Sequence, residues 1–218
     1  MQYTGTAANI VRAAETLFAE QGFTETTVRQ ITARADVNLA AVNYHFGSKK
    51  GLIQAVAEKF LGPLCQNIEQ ALDQRQAASS QSIALEELIE ILMRALLSVN
   101  HDNDHALSVF MRLLDLAYMK NQQDLRDFLI DRYGSRVQPY IELMRQDAAP
   151  MEADEFFWRL HFLLGSITFT LSNLHTLHAL ERGEYEGDAE VERVLHRMVP
   201  VLTAGLQARA DKTYFCRI

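Results

Sequence analysis

The sequence predicts an all-α protein: a short helix-turn-helix head followed by a helical body, about nine helices in total. Two observations carry this. Apolar residues recur at three- and four-residue spacing through almost the whole chain, and no stretch shows the period-two alternation of a half-buried strand. The breaks between periodic segments are rich in Gly, Asn, Asp and Ser, which cap helices or end them.

In the first segment Ile10, Ala14, Leu17 and Phe18 form one apolar stripe, and Gly22 is placed to end a helix of about residues 6 to 21 in a left-handed cap. Thr26 or Thr27 can cap a second, short helix with Val28, Ile31 and Ala35 on its apolar face, ending where Asp36 breaks the pattern. Asn38 suits the N-cap of a third helix, Leu39 to His45, which must stop near Gly47 because Ser48 is the natural cap of the next helix. A fourth helix from Lys49 presents Leu52, Val56, Phe60, Leu64, Ile68 and Leu72 every four residues. Gly62 and Pro63 interrupt it, and the hydrogen bond that Pro63 cannot donate predicts a kink there. The loop-like run from Gln74 to Ser82 ends in a Ser able to cap residues 83–99. Amphipathic segments follow at about 104–119, 122–146, 152–181 and 188–209. The organisation is a head over residues 1–50 and a body over 51–218.

At 218 residues, 48% hydrophobic and 22% charged, the chain can bury a sizeable core and is neither disordered nor low-complexity. No run approaches the roughly 18 uncharged residues of a membrane span, and the first residues lack a signal-peptide pattern, so a soluble, cytoplasmic protein with no membrane role is expected. Cys65 and Cys216 are read as two free thiols. The formal net charge of −7 is unevenly spread: residues 1–50 carry five Lys/Arg against four Asp/Glu, the rest sixteen against twenty-four. If any part meets a polyanion it is the head.

Helix two, the turn Asp36 to Asn38 and helix three have the proportions of a helix-turn-helix, whose second helix enters the major groove. Spacing alone is weak evidence, since short helix pairs are common. The side chains add to it. With Val42 and Phe46 buried, helix three offers Leu39, Ala40, Ala41 and Asn43, where small residues allow close approach, methyls meet thymine methyls and an amide pairs with adenine. Tyr44, His45, Lys49 and Lys50 then cluster beside the amide-rich start of helix four, which suits phosphate oxygens. Singly, each is better explained as a packed or solvated residue.

The run VNLAAVNYHFGSKKGLI, Val37 to Ile53, with FAEQGFTETTVRQITARADV before it, resembles the signature of the TetR family of one-component bacterial repressors. FMRLLDLAY (Phe110 to Tyr118) and FFWRLHFLLGS (Phe156 to Ser166) resemble the PsrA branch of that family, fatty-acid-responsive regulators of lipid degradation. The resemblance implies a homodimer with amino-terminal DNA heads, binding a palindromic operator as a repressor. It implies a base or phosphate contact from Arg29 and phosphate contacts from Thr27, Tyr44, His45 and Lys49; helix three departs from many members in having Leu39, Ala40 and Ala41 where polar readers often occur, which leaves specificity to Arg29, Asn43 and methyl contacts. It also implies a four-helix dimer interface from the last two long helices. Phe157, Leu160, Leu164 and Leu171, with Val194, Met198, Leu202 and Leu206, form stripes that agree with it, though periodicity alone fits an intrachain core equally well.

Family members bury a ligand in the body, and here Met93, Phe110, Met111, Leu114, Phe162 and Phe169 are soft side chains that, taken one by one, core packing explains better, though together they would suit an acyl chain. Each buried methylene of such a chain contributes up to ~0.8 kcal/mol. The expected effector is a long-chain fatty acid or acyl-CoA, its head group held by Arg112 or Arg159; a drug-type aromatic or cationic inducer of an efflux operon is the alternative. Helix four, weakened at Gly62 and Pro63, is the expected lever between ligand and DNA.

An enzyme is disfavoured. His101 with His105, and His175 with His178, lack a third ligand and base, and no Gly-rich phosphate loop, nucleophile elbow or Cys-His arrangement is present, so no metal or cofactor is expected. A purely dimerising helical adaptor is a third reading, which operator binding would separate from the first.

Overall fold

The computed structural model describes residues 3–99, 106–181 and 188–209, and apolar side chains draw these described residues into ten helices. They are α1 (Gly5–Glu25), α2 (Val28–Arg34), α3 (Leu39–Phe46), α4 (Lys49–Ala78), α5 (Leu85–Val99), α6 (Ala106–Tyr118), α7 (Gln123–Asp147), α8 (Ala153–Ser172), α9 (Leu174–Glu181) and α10 (Asp188–Gln207), with no strand among the described residues.

The head is set by its caps. Gly22 takes a left-handed φ of 85° as expected, but the chain turns on for one more loop to Glu25, because Phe23 stacks on Phe18 at 4.3 Å and the buried Thr26 hydroxyl donates to the Gly22 carbonyl at 2.7 Å. Thr27, not Thr26, caps α2: its Oγ1 accepts from Gln30 N, and Gln30 Oε1 accepts from Thr27 N at 2.7 Å, a reciprocal capping box. Asp36 sustains the turn with a φ of 53°, a conformation Asp tolerates better than most side chains. Asn38 Oδ1 accepts from Ala41 N at 2.9 Å, and Ser48 Oγ from Gly51 N at 3.1 Å, so the predicted starts of α3 and α4 hold. Ile10, Phe18, Ile31, Val42 and Leu52 close the head's core without solvent exposure.

Helix α4 runs unbroken through Gly62 and Pro63 to Ala78. In the body α5 packs on α4, α7 and α10, while α6 packs on α8 and also reaches α1. The start of α5 is capped not by a preceding Ser but from across the bundle, by Asp147 Oδ2 accepting from Leu85 N at 2.7 Å. The single segment predicted over 152–181 divides at Asn173, whose backbone leaves the helical region and whose side-chain amide donates to the Phe169 carbonyl at 2.9 Å. Buried residues of head and body form one continuous core, so α1 is seated directly on the body. Cys65 is buried, and burial pushes its thiol pKa up; Cys216, His101 and His105 lie outside the described residues. No described helix is long and apolar enough to cross a membrane.

Candidate nucleic-acid interface and effector cavity

Helix α3 is held by one side and offers the other. Val42 is fully buried against the head's core, and Phe46 is half-buried with its ring edge-on to Tyr3 at 5.7 Å. Leu39, Ala40, Asn43 and Tyr44, at positions i, i+1, i+4 and i+5, form an exposed stripe in which Tyr44 is 86% exposed. The stripe thus sets a tyrosine ring in water beside an amide and the methyl groups of Leu39 and Ala40.

Thr27 and Arg29 at the start of α2 and His45 at the end of α3 are also exposed. The Thr27 hydroxyl is partly engaged, donating to Gln30 Oε1 at 2.7 Å, while its cap leaves the first turn of α2 ordered. Lys49 is half-buried: its Nζ donates to the Thr24 carbonyl at 3.3 Å, and partial desolvation lowers its pKa against the opposing pull of Glu25. An ammonium held this way has shed part of its hydration before any phosphate arrives. Lys50 turns the other way, its Nζ 2.5 Å from the carboxylate of Asp124 at the start of α7. That bond holds the Asp124 carboxyl below its ordinary range.

The body distributes the expected ligand residues otherwise than the sequence suggested. Phe110 and Met111 are fully buried and Met93 nearly so, while Leu114 is half-buried against the core. Phe162 and Phe169 are 65% and 62% exposed on α8, outside any interior wall. Arg112 is exposed and donates to the Ala19 carbonyl of α1 at 3.3 Å. Arg159 closes the end of α10, donating to Glu155 Oε1 at 2.7 Å and to the carbonyls of Gly205 and Ala208. Neither arginine lines any of the cavities identified among the described residues.

The roomiest cavity described, about 740 Å³, lies instead beside the packing of α1 on α4, bordered also by the end of α5 and by α7, with Arg12, Lys59 and Arg136 among its walls. Smaller grooves of about 290 and 260 Å³ run between α5 and α10 and between α6 and α8. On the outer face of α8, Trp158 joins Phe162 and Phe169 in an exposed stripe, and Val201 on α10 is 69% exposed. Of the residues placed in a dimer interface, Phe157 is exposed, Leu164, Val194 and Met198 are half-buried, and Leu171 and Leu202 are buried within the chain.

Residues 10–56 match the family model for bacterial regulatory proteins of the tetR family, and residues 90–205, more than half the chain, match the tetracyclin repressor-like C-terminal domain. The chain belongs to the TetR family. It is 40% identical over 91 residues to the HTH-type transcriptional repressor Rv3405c of Mycobacterium tuberculosis, covering 42% of this chain and 46% of that one. It is 26% identical over 140 residues to the HTH-type transcriptional repressor KstR2 of Mycolicibacterium smegmatis, covering 64% and 63%. The matched region thus spans less than two thirds of either relative's length. Among solved structures, the fatty acid degradation regulator FadR of Bacillus halodurans superposes with a TM-score of 0.58 over 96% of this chain and all of that one, at 15% identity, which speaks for the fold alone.

For this TetR-family chain, sequence reasoning missed the junction cavity. Arg12, Lys59 and Arg136 are separated by 47 and 77 positions and carry no motif; only the packing of α1 on α4 and of α4 on α7 brings them together.

Proposed function

We propose that this chain is a ligand-responsive transcriptional repressor that binds a palindromic operator as a two-fold homodimer and is released by a long-chain fatty acid or its CoA ester, controlling fatty-acid metabolism. The observation that carries the DNA reading is the outward stripe of α3, with Tyr44 almost fully exposed while Val42 beneath it is wholly buried. In this reading residues 1–50 form the head. Leu39, Ala40 and Asn43 meet base edges, Arg29 a base or phosphate, and Thr27, Tyr44, His45 and Lys49 the sugar-phosphate rails.

Dimerisation is assigned to α8 and α10. Trp158, Phe162, Phe169 and Val201 supply an apolar face that a lone chain leaves wet, flanked by Phe157, Leu164, Val194 and Met198. Leu171 and Leu202 support that face from inside. The fatty-acid reading is favoured by the aliphatic body. Selection from a random duplex pool, followed by binding measurements on the recovered sequences, tests the proposal: inverted repeats are expected, and no enriched duplex would overturn it.

A further inference from the structure

We infer that the cavity bordered by α1, α4, α5 and α7 is a binding site for an amphiphilic carboxylate, and that its occupant acts as a wedge between head and body. Its apolar side comes from Val11, Phe60, Pro63 and Val99; the buried Phe60 ring is backed by Phe110 at 5.5 Å. The polar side is cationic once its acids are paired off. Lys59 Nζ lies 2.8 and 3.0 Å from the two carboxylate oxygens of Glu15, and Arg136 holds both oxygens of Glu69 at 2.7 Å. Arg12 forms no ion pair among the described residues, so one positive charge is left to meet an anion. About 740 Å³ falls in the range of pockets that enclose a whole small ligand. An apolar wall with one unmatched guanidinium selects a molecule with an aliphatic body and a single negative end.

Position gives the site its consequence. Gly62 lines the cavity, and a Cβ built there meets no atom within 4 Å, so the helix surface at this point is open to an occupant. The next residue, Pro63, has no N–H to give the Lys59 carbonyl, leaving α4 one hydrogen bond short beside the cavity. A guest here presses on α1 and on the weakest turn of α4 together. Because α1 shares its core with α2 and α3 through Phe18, Ile31 and Val42, a shift of α1 reorients the reading helix. This regulatory part rests on the repressor reading; the binding part does not.

The test uses the full chain with decanoate and the uncharged decan-1-ol as probes, by calorimetry and by operator release, with thermal unfolding of each variant recorded alongside. Decanoate is expected to bind at one site per chain and at least about tenfold more tightly than decan-1-ol, as a charge-assisted contact requires. Gly62→Leu, which fills the cavity, should weaken decanoate about tenfold or more; Arg12→Ala should do so about fivefold or more, with Arg12→Lys near wild type. Release is scored as the ratio of operator affinity with and without decanoate within each variant. Wild-type affinity for decanoate in both Gly62→Leu and Arg12→Ala, equal binding of the alcohol, or no binding below about 1 mM would overturn the site. Operator release by decanoate that is equal in all variants would also overturn it while leaving the repressor reading intact. A chain that binds no duplex before any probe is added refutes the repressor reading instead.

Discussion

Glu15 and Lys59 form an ion pair inside the joint between α1 and α4, 2.8 Å apart, with the Glu15 side chain 6% and the Lys59 side chain 29% exposed. One of its members belongs to the head and the other to the body's connecting helix. The carboxylate has little water to fall back on, so its stability depends on the ammonium.

Removing one partner should therefore cost more than removing both. Lys59→Met is expected to lower unfolding free energy by about 2–3 kcal/mol, somewhat below a fully buried pair because Lys59 keeps some solvent. The double variant Glu15→Leu, Lys59→Met should recover to within about 1 kcal/mol of wild type. Urea unfolding of the four proteins in a cycle checks this; strict additivity of the two single losses would contradict it.

Val42 and Tyr44 should separate stability from recognition within one helix. Val42→Ala removes two buried methyl groups from under α3 and is expected to cost about 2 kcal/mol. Tyr44→Ala should change stability by no more than about 0.5 kcal/mol, because the ring is in water, while weakening duplex binding. Chemical denaturation with parallel anisotropy titrations gives both readouts, and a Tyr44→Ala protein that is markedly less stable would show the ring to be structural.

Tyr140 is buried on α7 and its hydroxyl donates to the Leu88 carbonyl of α5 at 2.6 Å. Burial raises its pKa well above the ordinary tyrosine value, so it stays a neutral donor at every physiological pH. Tyr140→Phe leaves that carbonyl its position in α5 and removes only the cross-helix bond, which should cost about 1 kcal/mol. A loss near zero in urea unfolding would mean that the bond contributes nothing net.

Acid should expose the Arg136–Glu69 link between α7 and α4. Hydrogen bonds from Arg136 hold the Glu69 carboxyl below its ordinary value of 4.5, with slight desolvation opposing. A depressed carboxyl pKa adds stability that is full above the unfolded value and is lost as pH falls through the folded one. Between those two values the unfolded chain binds the extra proton. Melting curves from pH 7 to pH 3 should thus show wild type above Glu69→Gln at neutral pH and the gap closing below about pH 4.5. A gap that stays constant with pH would contradict the assignment.

Local chemistry made the head readable from sequence. Thr27, Asn38 and Ser48 each sit one residue before a helix and cap it through backbone N–H groups within three positions, so short spacing carries the information. The body was readable as helices but not as surfaces. Phe162 and Phe169 share helical spacing with buried neighbours such as Leu163 and Ile167, and only packing against α6 shows which go inward. Leu171 and Leu202, which the family resemblance put in a dimer interface and periodicity alone fitted equally to a core, turn into the chain's own core. The Asn173 break was hidden because apolar periodicity continues across it, and the junction cavity because its walls come from four helices distant in sequence.

Recognition of a duplex depends on the outward stripe of α3. Fluorescence anisotropy of a selected inverted-repeat duplex, measured from about 50 to 200 mM salt with wild type, Asn43→Ala and Tyr44→Ala, tests it most directly. Wild-type affinity is expected to fall linearly in log–log form with salt, and Tyr44→Ala to weaken binding to all sequences. Asn43→Ala should relax discrimination at one base pair by about 1–3 kcal/mol. Binding by both variants equal to wild type, or no duplex bound by wild type even at the lowest salt, would contradict it.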